Sequence, residues 1–125
     1  MIAVDTSSFV AYLSGAKGDD VDAVDEALLH KQVVLAPMVL TELLSDPKLP
    51  KKICSFLLEL PLLDITEGFW ERAGKLRSKI LTKKLKARLA DSLIAQVCID
   101  HQVPLITRDH DFRHFIKEAK LKVAP

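Results

Sequence analysis

Residues 105–112 read LITRDHDF, an apolar pair followed, after Thr107, by Arg108, Asp109, His110 and Asp111. Leu105 and Ile106, flanked by Pro104 and Thr107, predict a short buried strand over 104–107. Two acids then stand just past the end of a strand that the chain buries. The pattern recurs along the sequence. IAVD (2–5) is an apolar run closed by Asp5, and VVLA (33–36) is β-branched and bounded by Pro37. PLLDI (61–65) and LKVA (121–124) complete a set of five short candidate strands.

Between the strands the apolar spacing turns helical. SSFVAYL starts a helix after IAVD, and Gly15 and Gly18 mark a loop. DDVDAVDEALLHK brings Val21, Val24 and Leu28 to helical intervals. Pro37 suits the first turn of the helix PMVLTELLS. LPKKICSFLLEL sets Ile53, Leu57 and Leu60 on one side, and TEGFWERAGKLRSKIL carries the stripe Phe69, Ala73, Leu76 and Ile80. ADSLIAQVCIDHQ and the short FRHFIKEA follow. Strands alternating with helices predict a parallel sheet covered on both faces, with right-handed crossovers. No repeat or linker interrupts the 125 residues, so one domain over 1–125 is expected.

Composition narrows the class. A hydrophobic share of 49% against 28% charged fits a globule able to bury its own core. The formal net charge of +1 gives no bulk attraction for a polyanion. No apolar run nears the roughly 20 residues of a membrane span, and MIAVDTSSFV lacks a basic leader and a cleavage site. Cys54 and Cys98 sit in apolar helical patterns and predict two buried thiols, hence a reducing cytoplasm.

In an open parallel sheet, ligands bind at the carboxyl ends of the strands. Asp5 ends the first strand, and Asp109 lies two residues past the fourth. Glu42 falls early in the helix after VVLA, and Asp91 opens the helix before PLIT. Both helices start at that same edge, so four acids distant in sequence are expected on one rim. Each has a plainer use. Asp5, Thr6 and Ser7 could cap a helix, as could Asp91 before SLIAQ and Asp111 before FRHFIKEA. A lone helical Glu42 could simply face water. Asp91, however, shares a face with Ile94, Ala95 and Cys98, which favours an inward carboxylate.

Ionised carboxylates repel by on the order of 4 kcal/mol for a pair about 4 Å apart at an effective dielectric near 20. Three or four together call for a cation. An all-oxygen site suits Mg²⁺ or Mn²⁺, and no Cys/His spacing resembles a zinc site. Such an ion suits phosphodiester hydrolysis.

AVDTSSF, TELL around Glu42, ADSLIA around Asp91 and LITRDHDF, in this order and spacing, resemble the PIN-domain family over nearly the whole chain. The likeness is greatest to its small VapC-like branch, the toxin ribonucleases of type II toxin–antitoxin modules. The resemblance implies a three-layer α/β/α sandwich around a five-stranded parallel sheet of order 3-2-1-4-5. It implies a Mg²⁺- or Mn²⁺-dependent endoribonuclease with Asp5, Glu42, Asp91 and Asp109 as the acidic quartet. The metal would lie on Asp5, Asp91 and Asp109, with Glu42 direct or through water. Thr107 matches the family's recurrent Ser/Thr that orients a neighbouring acid, Thr6 assists, and Asp111 matches a position acidic in some members. A cognate antitoxin and a homodimer are the implied partners. The chain departs from the family at Gln96, Val97 and Cys98, where small residues are frequent.

Residues 71–88 hold eight basic side chains and one acid, a net +7, which leaves −6 on the remaining ten bases and sixteen acids. This is either a solvated helix face or a rail for RNA phosphates at Lys83, Lys84, Lys86 and Arg88. Three other functions compete with the toxin: a housekeeping PIN nuclease in RNA processing or decay, an inactive PIN scaffold, and a phosphoacceptor receiver domain with Asp64 as acceptor.

Overall fold

The structure, a computed structural model, describes residues 1–124. In chain order it runs β1 (Ile2–Val4), α1 (Thr6–Leu13), α2 (Asp19–Leu29), β2 (Val33–Val34), α3 (Pro37–Leu44) and α4 (Lys51–Leu58). It continues with α5 (Phe69–Thr82), α6 (Leu89–His101), β3 (Leu105–Ile106), a 3₁₀ turn (His110–Phe112), α7 (Arg113–Ala119) and β4 (Val123–Ala124).

The four strands form one sheet of order β2-β1-β3-β4, and every pair is parallel. Ala3 at the centre pairs with Val34 on one side and Leu105 on the other. Backbone bonds from Ala3 N to Pro104 O (2.9 Å) and Asp5 N to Ile106 O (2.8 Å) knit β1 to β3. Sheet residues Ala3, Val4, Val34, Leu105 and Ile106 are buried to within 1% of their surface. Helices cover both faces, as continuous apolar strands require. From β1 the crossovers run in opposite directions to β2 and on to β3, which by the right-handed rule puts α1 and α2 on one face and α5 to α7 on the other.

The expected third strand over 61–65 is reduced to a single parallel bridge, Leu62 beside Leu35. Leu35 N donates to Pro61 O and Leu63 N to Leu35 O, both at 2.9 Å, and the pairing stops there. Pro61 has no N–H to extend the ladder, and of this segment only Leu63 is buried. The bridge lies outside β2, so the 3-2-1-4-5 arrangement is kept with its edge strand shortened.

The α5 stripe falls where its spacing predicts, with Phe69, Ala73, Leu76 and Ile80 all buried. Cys54 and Cys98 are both free; Cys98 is buried and Cys54 half-buried. Among the described residues no helix is long and apolar enough to cross a membrane.

Candidate functional site

The carboxyl edge of the sheet gathers the acids. Asp5 follows β1 and stands at the N-cap of α1, but its side chain does not cap that helix. Its carboxylate instead accepts from Ser7 Oγ at 2.6 Å and Thr107 Oγ1 at 2.9 Å, both on Oδ2. Thr107 also accepts from the backbone N–H of Asp109 at 3.0 Å. One hydroxyl therefore binds the acid after β1 to the loop after β3. Thr6, next along α1, donates to Glu42 Oε1 at 2.7 Å and brings in α3.

Asp91 does not cap α6. Arg88 occupies the N-cap position, and Asp91 lies inside the first turn. The apolar Leu89 and Ala90 let the helix begin earlier than the position of the acid suggests. Among the described residues, Asp91 Oδ2 is the buried side-chain atom that has no hydrogen-bond partner. Burial, then the charges of Asp109, Asp5 and Glu42, push its carboxyl up from 3.8 to about 6, with Arg88 opposing. All three other members of the expected quartet thus act on one oxygen-bearing group.

Asp109 caps the 3₁₀ turn, its Oδ1 accepting from Asp111 N at 2.9 Å. Asp111 could have served as a helix cap, yet its side chain turns to three cations: Lys86 at 3.0 Å, Arg113 at 3.7 Å and Arg88 at 3.9 Å. The hydrogen bond from Lys86 leads these in holding its carboxyl below the usual range. One oxygen each from Asp91, Asp109 and Asp111 lies within 4.8 Å of the other two. Asp111, expected only in a supporting place, therefore joins Asp91 and Asp109 in this close trio, where Asp5 had been expected as the third metal ligand. An orphaned buried carboxylate oxygen among other carboxylates is the donor chemistry of a hard divalent cation.

The basic residues divide. Lys86 and Arg88 reach the acidic rim through Asp111. Lys83 is ion-paired with Glu118, and Lys84 is exposed in a left-handed backbone conformation (φ 59°). At the departures within α6, Gln96 donates to Asp100 at 2.8 Å, and Cys98 packs near Asp5 with its thiol pushed up to about 12 by burial.

A family model described as PIN domain matches residues 2–118. The chain belongs to the PIN-domain family. The receiver alternative falls with that match; Asp64 is exposed, and its backbone carbonyl lies 2.8 Å from His101 Nε2. No curated protein matches the sequence significantly. Among solved structures, the fold is similar to VapBC2 from Rickettsia felis, whose crystal structure is bound to a promoter DNA fragment. That match has 22% identity, covers 99% of this chain and 98% of that one, and has a TM-score of 0.73. FitAcB from Neisseria gonorrhoeae matches with 23% identity, 100% and 97% coverage, and a TM-score of 0.71. VapBC-5 from Mycobacterium tuberculosis, of the VapBC family of toxin-antitoxin systems, matches with 22% identity, 98% and 95% coverage, and a TM-score of 0.68. At these identities the likeness is one of fold.

Ser7, Ser8, Asp20 and Arg108 were not among the expected site residues. Ser7 had a signal, its place two residues after Asp5. Arg108 forks onto Asp20 through Nε (2.8 Å) and Nη2 (3.0 Å), and Ser8 Oγ donates to the same carboxylate at 2.8 Å. Nothing in the local pattern links residues 88 positions apart.

Proposed function

We propose that the chain, as one PIN domain, is a metal-dependent endoribonuclease and the toxin of a toxin–antitoxin pair. The observation that carries this reading is Asp91 Oδ2, buried without a partner and surrounded by Asp109, Asp5 and Glu42. A carboxylate left so exposed to like charge weakens the fold unless a cation joins it. Asp5, Asp91 and Asp109 would hold Mg²⁺ or Mn²⁺, with Glu42 direct or through water and Asp111 close enough to contribute. A hard divalent ion there supplies polarisation of a phosphoryl oxygen and a bound water of lowered pKa.

The chain's own residues prepare the site. Ser7 and Thr107 fix the Asp5 carboxylate by one oxygen, Oδ2, and donate nothing to Oδ1. Thr6 orients Glu42. Asp91, ionised at neutral pH, offers its unpartnered Oδ2 to the ion. Lys86 and Arg88, beside Asp111, offer charge to an RNA phosphate at the rim; Lys84 extends that offer along the loop, and Lys83, paired with Glu118, adds less. The PIN family match and the toxin–antitoxin complexes among the fold's neighbours support the toxin assignment and an antitoxin partner, and the proposal extends to a homodimer in a cytoplasmic setting.

The test is to incubate the purified chain with assorted RNAs in Mn²⁺ or EDTA and map the ends. Discrete internal cuts that need Mn²⁺ are expected. Intact RNA under both conditions would favour a scaffold that binds without cutting.

A further inference from the structure

Asp20 lies 9% exposed in the first turn of α2, and each of its oxygens is used. Oδ2 accepts from Ser8 Oγ and Arg108 Nε, and Oδ1 accepts from Arg108 Nη2. The guanidinium also donates to Lys17 O at 3.2 Å. Gly18 makes room for the fork. Its φ is +151°, and a Cβ there would stand 2.6 Å from Asp20 Oδ1 and 3.0 Å from Arg108 Nη2. With its acceptor sites filled by three donor contacts, Asp20 is a poor candidate for a metal ligand. The Arg108 hydrogen bonds lead in bringing its carboxyl down from 3.8 to about 2, so it stays charged across the working pH range.

What this carboxylate joins gives it a role. Ser8 is on α1, three residues after Asp5. Arg108 stands between Thr107, which donates to Asp5, and Asp109. The segment bearing Asp5 and the loop bearing Asp109 are therefore tied twice. Thr107 ties them directly at the rim, and Ser8, Asp20 and Arg108 tie them from behind it.

Resting on the metal reading above, we propose that Asp20 is a positioning residue whose fork with Arg108 and bond to Ser8 set the spacing of Asp5 and Asp109 for the ion. Bidentate guanidinium–carboxylate geometry is directional as well as strong, which suits it to hold a loop in register. Loss of a partner that orients metal ligands commonly weakens metal binding by about 10–100-fold.

The test is Mn²⁺ titration of the metal-free full chain by calorimetry, well below the melting temperature, with thermal unfolding measured in EDTA alongside. Asp20→Asn should weaken Mn²⁺ binding by about tenfold at the low end of that range. Arg108→Lys keeps the charge but not the fork, and Ser8→Ala cuts the tie to α1; each should give a smaller weakening. A merely structural role would lower the melting temperature and leave the Mn²⁺ affinity unchanged. Affinity within twofold of the parent in Asp20→Asn overturns the proposal. If that variant does not fold, parental affinity in both Arg108→Lys and Ser8→Ala overturns it. Failure of the unsubstituted chain to bind Mn²⁺ overturns the metal reading and this inference with it.

Discussion

Asp91 and Asp20 occupy matching places and have opposite fates. Each lies in the first turn of a helix that precedes a parallel strand, α6 before β3 and α2 before β2. Both are therefore at the carboxyl edge, where a helix N-terminus favours an anion. Yet burial and neighbouring acids push Asp91 up to about 6, whereas the Arg108 fork brings Asp20 down to about 2. The helix end does not decide the outcome; the partner does. Asp20 has two donors that fill it. Asp91 Oδ2 has none, and its neighbours are Asp109, Asp5 and Glu42. One acid is completed by the fold, and the other keeps an oxygen without a partner, which is where the proposed cation would bind.

The largest effect expected from this contrast is on chemistry. Asp91→Asn or Asp5→Asn should reduce Mn²⁺-stimulated RNA cleavage to background while far-UV circular dichroism stays that of the parent. An unaltered cleavage rate in either variant would refute the assigned site. On stability the two acids should part in sign. Asp20→Ala leaves Arg108 without its fork and Ser8 without its acceptor, a loss of about 1–3 kcal/mol in urea unfolding. Asp91→Asn should stabilise the metal-free protein at pH 7 by about 1–2 kcal/mol, after allowing for screening at a half-exposed rim.

The pH dependence gives the sign independently. Below about pH 4 Asp91 is protonated whether the chain is folded or not, and above about pH 6 it is ionised in both states. Between these values the unfolded chain loses its proton first, so this group removes stability as the pH rises, and the loss is complete by pH 7. Unfolding in EDTA should show the advantage of Asp91→Asn growing from pH 4 to pH 6 and vanishing below. Asp20 runs the other way: its stabilisation is present above its unfolded value near 3.8 and is lost as the pH falls through about 2.

Much of this was legible in the sequence, for identifiable reasons. Apolar runs closed by Asp5 or bounded by Pro37 marked strands, and the α5 stripe needed only its period of 3.6. The strand at 61–65 was overread, because PLLDI has strand composition but Pro61 and an edge position permit one bridge. Asp91 resembled a cap because helix starts are read from polar residues, whereas Arg88 takes that position three residues earlier. The Ser8–Asp20–Arg108 knot was invisible. Its members stand on three separate segments, and no local periodicity connects them. Asp111 was placed near the site by sequence, but its cations could be assigned only once the 3₁₀ turn had aimed it at Lys86.

The smallest effect concerns the basic loop and sharpens the same rule, that the partner decides. Lys83 is committed to Glu118, whereas Lys86 shares Asp111 with the rim. Replacing Lys83, Lys84 and Lys86 together by Glu should weaken RNA binding and flatten its salt dependence, by about 0.7 in log–log slope for each phosphate no longer neutralised. Lys86→Gln should account for more of that change than Lys83→Gln. Equal contributions, read from binding isotherms at several salt concentrations, would put the phosphate path elsewhere.

The most direct measurement is a crystal structure of the chain grown with Mn²⁺, read by the anomalous signal of the ion. The account predicts an anomalous peak at the carboxyl edge within coordination distance of Asp91 Oδ2, Asp5 and Asp109. A rim with no peak, or a peak elsewhere while Asp91 Oδ2 stays unpartnered, would contradict it.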